Sequence, residues 1–456
     1  MKKVITYGTY DLFHEGHYKL LKRAKELGDY LIVGVTTEHF DEARGKVNLV
    51  DPIMTRIENV RKTGFADEII IEDHEGQKVE DIQKYGVDVF TVGSDWTGHF
   101  DYLRQFCDVV YLERTPDISS TEIRDGRYKI VRIGIIGTGR IAPRFLSEAK
   151  YVSGINVDCA YNPEEDSAKA FHDKTDLPVY TRDFDKFLDM VDAVYIASPN
   201  ETHTMYAKEA LEAGKHVLCE KPLAFTKLES QDLYKLAEEK GKVLMEAVKT
   251  AYCPGFTQLI NVAESGKIGD IVDVEACFTR LANPDSREVV DANFGGSFLE
   301  FGAYVMLPMI KLFGTDYKNV EIESILNEAG NDVYTKVHVL YDSAMATGKV
   351  GVGVKSEGNL VISGTKGYIL APSPWWLTKY FEVRHEDVND IEVYKPDFIG
   401  DGIRYEISEF TQKINGVKDR VYKLTAEEAI AMAGITEMFM KNRVDLQRKK
   451  REENAN

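Results

Sequence analysis

Cysteine is scarce in this chain of 456 residues: five occur, Cys107, Cys159, Cys219, Cys253 and Cys277, and none forms a CxxC pair. So odd and scattered a set argues against a disulfide framework or a zinc site, and for buried reduced thiols in a cytoplasmic protein. Long hydrophobic runs are missing too. No stretch of about 18 apolar residues occurs, so no membrane insertion is expected. The start MKKVITYGTYD has two lysines without an apolar core, which argues against a secretory leader. Positive charge is in deficit, with 57 Lys and Arg against 75 Asp and Glu and a net charge of -18. Phosphate backbones and anionic membranes attract basic faces, so no nucleic acid is expected as a partner. The one strongly basic run, QRKKR, is followed by EENAN and reads as a solvated helix end.

What is present describes an ordinary globular chain, 43% hydrophobic and 29% charged. At ~100–200 residues per domain it should hold several cores. From residue 3, strand-like VITY, YLIVGVT, EIIIE, VDVFTVG and DVVYLER alternate with helical stretches such as YKLLKRAKEL, which predicts an α/β domain with a parallel sheet over 1–128. RDGRYK then breaks the pattern. Alternation restarts with VRIGIIG, VDCAYN, AVYIAS, KHVLCE and KVLMEA, a second Rossmann-like sheet over 129–250. Beyond it, IVDVEACFTRL, VEIESILNE, YTKVHVLYD, GKVGVGV, GNLVISG and KYFEVRH predict a largely antiparallel sheet in 251–456. A helix closes the chain, with Thr425 and Glu428 at capping-box spacing.

The first chemical signal is GTYDLFHEGH, residues 8–17. A strand ends, the chain turns, and His14 and His17 fall where a helix begins. Unpaired N–H groups and the positive dipole end favour a phosphate there, and Gly16 permits close approach. Taken alone, the same residues could simply cap a helix. Two further stretches, VGSDWTGHFDYL at 92–103 and RTPDISSTEIR at 114–124, accompany it. With them the segment resembles the glycerol-3-phosphate cytidylyltransferases of the HxGH nucleotidyltransferases.

That resemblance implies attack of a polyol-phosphate oxygen on the α-phosphorus of CTP, assisted by Mg²⁺, with pyrophosphate leaving. It implies transition-state stabilisation by His14 and His17. Lys46, Arg114, Ser119, Ser120 and Thr121 would hold the phosphates, Thr9, Tyr10 and Asp95 would meet the nucleotide, and Asp11 would stand near the metal. Arg56 is a candidate for substrate phosphate, against the alternative of an exposed helical arginine. The motifs depart from the family at Glu15, in HEGH, and at Asp117, in RTPDIS.

The second signal is IGIIGTGRIA, with Gly137, Gly139 and Ala142 between a strand and a helix, where close approach to a pyrophosphate requires small residues. The strand VDCAYN would end on an acid for an adenosine ribose, but it ends on Tyr161 and Asn162, which leaves NAD and NADP both open. ASPNETH at 197–203, EAGKHVLCEKPLA at 213–224, GGSFLEFGAY at 295–304 and ISGTKGYI at 362–369 follow. Together these motifs resemble the Gfo/Idh/MocA sugar oxidoreductases.

The second resemblance implies a Rossmann domain followed by an α+β open mixed sheet, using NAD(P)H. Lys221, in Glu220-Lys221-Pro222, would stand beside the nicotinamide and the reacting carbon, with Tyr304 as the acid. Arg140, Ile141, Ser198, Asn200, His203 and Glu220 would line the cofactor, while Lys249 and Arg280 are candidates for substrate phosphate. Glu300 stands where the family has aspartate.

The two halves together suggest reduction of a ketose or sugar phosphate to a polyol phosphate, then CMP transfer to give a CDP-polyol for a teichoic acid or capsule polymer. Alternatives are a reductase acting on a CDP-linked sugar, or one half serving as a non-catalytic nucleotide-binding or assembly module. A homo-oligomer is expected.

Overall fold

A computed structural model describes the chain except for residues 38–39, 42–50, 52, 75, 114–129, 153, 176, 397, 399, 417–422 and 456, and except for the side chains of 95 and 449–455. The described residues group into two compact units, one of 1–130 with 150–155, the other of 131–149 with 156–456.

In the first unit, strands β1 (Lys3–Gly8), β2 (Tyr30–Thr36), β3 (Glu68–Glu72), β4 (Val89–Gly93) and β5 (Asp108–Leu112) form one sheet in the order β3-β2-β1-β4-β5. Every pairing is parallel. Alternate residues serve opposite faces: Val4, Leu31, Val33 and Val35 pack with Leu21 and Ala24 of the helix Glu15–Lys25, whereas Ile5, Tyr7, Ile32 and Phe90 pack with Ile82 and Leu103. Both faces are covered, so the strands read as nearly continuous apolar runs.

The second unit begins with β6 (Val131–Ile136), β7 (Ile155–Tyr161), β8 (Val179–Thr181), β9 (Ala193–Ile196), β10 (His216–Glu220) and β11 (Leu244–Ala247), in the order β11-β10-β9-β6-β7-β8. The short strand β8 escapes the sequence pattern. Strand order reverses between β6 and β9, and their carboxyl ends open a crevice of the kind in which α/β sheets bind ligands.

The rest of this unit is an eight-stranded sheet. Its strands are β12 (Ile271–Thr279), β13 (Asn319–Leu326), β14 (Asp332–Leu340), β15 (Met345–Gly351), β16 (Leu360–Gly364), β17 (Tyr368–Ala371), β18 (Phe381–Arg384) and β19 (Ile391–Tyr394). They run in the order β13-β14-β15-β12-β16-β17-β18-β19. The β12–β15 pair is parallel and its neighbours are antiparallel, so the sheet is mixed. One face is covered by the helix Ser297–Phe313, which is apolar almost all round and buried for most of its length, as that composition requires.

This helix carries Glu300 and Tyr304, and its start is fixed from outside. Asp332 on β14 accepts from Ser297 Oγ at 2.6 Å and from the Phe298 N–H at 2.8 Å. Arg443, on the closing helix Ala426–Ala455, donates to the Gly295 carbonyl at 2.9 Å and to Asn331 Oδ1 at 3.1 Å. The closing helix opens with the expected reciprocal cap, Thr425 N–H to Glu428 at 2.8 Å and Glu428 N–H to Thr425 Oγ1 at 3.2 Å. All five cysteines are free thiols, four of them buried.

Candidate functional site

In the first unit the chain leaves β1 and turns at Gly8, and His14 becomes the N-cap of the helix Glu15–Lys25. Its Nδ1 accepts the Gly16 N–H at 3.0 Å, and its ring stacks on that of His17 with centroids 3.9 Å apart. A neutral His14 therefore keeps its proton on Nε2, a donor suited to a phosphate oxygen. One turn of helix thus brings the two imidazoles to a single spot.

In the second unit a cleft of about 1170 Å³ opens at the crevice of the six-stranded sheet. Gly137, at φ +93, closes the turn after β6, and a Cβ there would meet the Ser198 main chain at 2.6 Å. At Gly139 the nearest atom to such a Cβ is 4.0 Å away, so this backbone stays open to the cleft. Small residues with room beside them fit a bound pyrophosphate. Asn162, after β7, spends its amide on Thr138 Oγ1 at 2.7 Å, and Lys174 lines the same cleft.

At the other end of the cleft the Lys221–Pro222 bond is cis. The Lys221 ammonium donates to the Glu300 carbonyl at 2.8 Å and stands 5.8 Å from the centre of the Tyr304 ring. The Glu300 carboxylate lies 2.9 Å from Arg140 and 3.8 Å from Lys221. Arg140 and Arg280 share Glu288, at 3.2 and 2.6 Å. Glu220 accepts from the Tyr195 hydroxyl at 2.7 Å. Burial, then the charges of Glu220, Glu406 and Glu300, push the Tyr304 phenol well above its usual range. Tyr304 therefore holds its proton at neutral pH and can donate it.

Residues 5–126 match the cytidylyltransferase-like family. Residues 131–248 match the oxidoreductase family with an NAD-binding Rossmann fold, and 256–370 match the GFO/IDH/MocA C-terminal domain. The glycerol-3-phosphate cytidylyltransferase of Staphylococcus aureus is 47% identical over 130 residues, 28% of this chain and 96% of that protein. The chain joins a cytidylyltransferase-like domain to a GFO/IDH/MocA oxidoreductase. The scyllo-inositol 2-dehydrogenase (NADP⁺) IolU of Bacillus subtilis is 29% identical over 326 residues, covering 68% of this chain and 95% of that enzyme. KijD10, a 3-ketoreductase of Actinomadura kijaniata solved with NADP and TDP-benzene, shares the fold, with a TM-score of 0.60 at 24% identity over 67% of this chain and 96% of its own.

Tyr10 is 1% exposed and at φ +53, with its ring edge on His17 at 5.5 Å, so it supports the histidine pair from the core. Asp11 is buried and its Oδ1 accepts the Asp51 N–H at 2.8 Å. Among the described residues no group of three or more His, Cys, Asp or Glu could hold a metal ion. Thr9 donates to Asp41 at 3.1 Å. Arg56 is fully buried, donating to the carbonyls of Asp51, Thr9 and Thr36, and is not an exposed helical arginine. Asp95 falls in the short 3-10 turn Ser94–Trp96. Lys46, Arg114, Ser119, Ser120 and Thr121 lie outside the described residues.

In the oxidoreductase, Gly137, Gly139, Arg140, Ile141, Ser198, Asn200, His203, Glu220, Lys221 and Tyr304 all line the one cleft. Both ring nitrogens of His203 face main-chain carbonyls, Pro222 O at 2.8 Å and Ser198 O at 3.0 Å, so it pins two loops together at the cleft wall. Asn200 likewise donates to the Phe294 carbonyl at 3.1 Å. Lys249 and Arg280 line the cleft but are engaged, with the Asp401 carbonyl at 2.9 Å and with Glu288. The longer arm of Glu300 is what reaches Arg140.

Sequence reasoning missed the helix Ile403–Ile414, whose Ile403 and Glu406 line the cleft floor. It is bolted to the helix Ala142–Ala149 by a buried pair, Arg404 to Glu148 at 2.7 and 2.9 Å. A Cβ on Gly400, at φ +70, would fall 2.4 Å from Arg404 Nη2 and 2.5 Å from Glu148 Oε1. Burial pushes the Glu148 carboxyl up, but the hydrogen bonds from Arg404 and the Asp401 main chain hold it below its usual range. Its contribution to stability is thus present above the unfolded pKa and is lost as pH falls through the lower folded one. Glu148→Ala strands a buried guanidinium and should destabilise the domain by about 3–5 kcal/mol. Calorimetric unfolding at pH 7 checks this, and the gap between variant and wild type should close under acid.

Proposed function

We propose that the chain makes a CDP-polyol, reducing a ketose or sugar phosphate with NAD(P)H and transferring CMP from CTP to the resulting polyol phosphate. The reading rests on one observation, the pairing in a single chain of a domain 47% identical to a glycerol-3-phosphate cytidylyltransferase with a dinucleotide cleft that ends in Lys221 and Tyr304. In the reductase, bound NAD(P)H would supply the hydride. Lys221 would orient the carbonyl oxygen from its seat on the Glu300 carbonyl, and Tyr304 would deliver the proton. Asn162 in place of an acid, with Lys174 nearby, favours NADPH, whose extra phosphate a carboxylate would repel.

In the transferase, a polyol-phosphate oxygen would attack the α-phosphorus of CTP while His14 and His17 stabilise the charge that grows on its oxygens. Mg²⁺ would enter on the triphosphate. The CDP-polyol, made in the cytoplasm by a homo-oligomer, would serve a teichoic acid or capsule polymer.

The test is NAD(P)H oxidation by a panel of ketose phosphates without CTP, followed by CTP and Mg²⁺ and analysis of the products. Oxidation without CTP, then a CDP-polyol with CTP, is the expected outcome. A second reading has support of its own, because KijD10 was solved with a nucleotide-linked ligand. Reduction seen with a CDP-linked keto sugar and with no free ketose phosphate would reverse the order of the two steps.

A further inference from the structure

Glu406 sits in the first turn of the helix Ile403–Ile414 and lines the floor of the oxidoreductase cleft. It is 1% exposed, and its Oε2 has no hydrogen-bond partner among the described residues. A buried carboxyl oxygen without a partner is costly, and a fold does not need one there.

Two cations stand close by but are spent elsewhere. Arg144 pairs with the Asp401 carboxylate, and Lys249 donates to the Asp401 carbonyl at 2.9 Å. Neither forms an ion pair with Glu406. The turn itself is held in place, because the Asp401 N–H donates to Glu148 at 3.1 Å and Arg404 grips the same carboxylate. Glu406 is therefore positioned by its neighbours without being satisfied by them.

An aromatic wall completes this part of the cleft. Phe278 stacks on Trp376 at 3.6 Å and on Phe301 at 4.2 Å, and packs against Tyr304 at 5.2 Å. Flat apolar faces beside a few inward polar groups suit a polyhydroxylated ligand, whose C–H faces pack while its hydroxyls hydrogen-bond.

Resting on the reading of this cleft as the reductase site, we infer that Glu406 is a substrate-specifying residue whose carboxyl group hydrogen-bonds a hydroxyl of a polyhydroxylated carbonyl substrate beside Tyr304. As a neutral acid it offers one donor and one acceptor to substrate hydroxyls. Burial is the main reason it stays protonated. The negative charge of Glu220, at the end of β10, acts in the same direction, Lys249 and Arg144 oppose it, and Glu148 adds to it. Tyr304, Tyr195, Tyr252 and Cys253 also feel its charge.

The experiment measures NADPH oxidation by the full-length wild type, Glu406→Ala and Glu406→Gln, with D-fructose 6-phosphate and D-ribulose 5-phosphate, and with a CDP-linked keto sugar if neither reacts. Glu406→Ala should raise KM for the carbonyl substrate about tenfold or more and leave KM for NADPH unchanged. Glu406→Gln, which keeps a neutral donor and acceptor, should stay within about threefold of wild type. As pH rises, the wild-type KM should climb as the acid ionises, while that of Glu406→Gln rises less. An unchanged KM in a folded Glu406→Ala overturns the assignment and leaves the reductase reading standing. A wild type that reduces no sugar probe overturns that reading, and the assignment with it.

Discussion

Lys221→Ala should abolish NAD(P)H oxidation, lowering kcat by about a thousandfold or more, while CTP-dependent release of pyrophosphate continues at the wild-type rate. The size follows from the seat of the ammonium. It is 13% exposed, held by the Glu300 carbonyl and 5.8 Å from the centre of the Tyr304 ring, so a carbonyl oxygen placed between lysine and phenol would meet one fixed positive charge and one proton donor. In a partly desolvated cleft such a charge acts at low effective dielectric, where its loss is not made good by water. Because the charge matters most as electrons move onto oxygen, kcat should fall more than KM rises. Steady-state absorbance at the reduced-nicotinamide band checks this, with NADPH titration to confirm that the cofactor still binds. A variant that turns over within tenfold of wild type would remove Lys221 from the chemistry.

His17→Ala should give the mirror image, with loss of cytidylyl transfer by about 10²–10⁴-fold and an intact reductase. His17 is the better residue to remove. His14 also caps its helix through the Gly16 N–H, so His14→Ala would mix a structural cost with a catalytic one. The His17 ring lies between the face of His14 and the edge of Tyr10, a packing that alanine loosens without exposing a backbone donor. Pyrophosphate release from CTP and glycerol 3-phosphate, measured beside NADPH oxidation in the same preparation, separates the two halves. Loss of both activities would point to misfolding, and retention of transfer would exclude the histidine. Two variants that each silence one reaction would also rule out a non-catalytic module.

The fold was readable from the sequence wherever hydrophobic period and turn chemistry agree, as in β1, β6 and β10, whose buried runs end at glycine or at Glu220. Strands β8 and β19 were not, because each is short and more exposed than a core strand, which leaves little apolar signal. At the site, Lys221, Tyr304 and the glycines stand in contiguous motifs. Their supports do not: Arg404 and Glu148 are 256 residues apart, and Asp332 reaches Ser297 across 35. Charged residues on a helix normally signal a solvated face, and here Arg404, Glu406 and Glu409 are buried. The packing of Tyr10 and His203 was not legible for the converse reason, since a polar residue inside a binding motif can also belong to the framework that shapes the loop.

Gly400 gives the floor of the cleft a dependence on a residue that does not line it. Two opposite charges occupy the volume where its side chain would project, so any larger residue must part them, and the turn that carries Glu406 would lose its anchor. A selection for altered sugar preference should therefore return changes at position 400 as well as at the cleft wall, acting by shifting the floor instead of by redrawing the contacts.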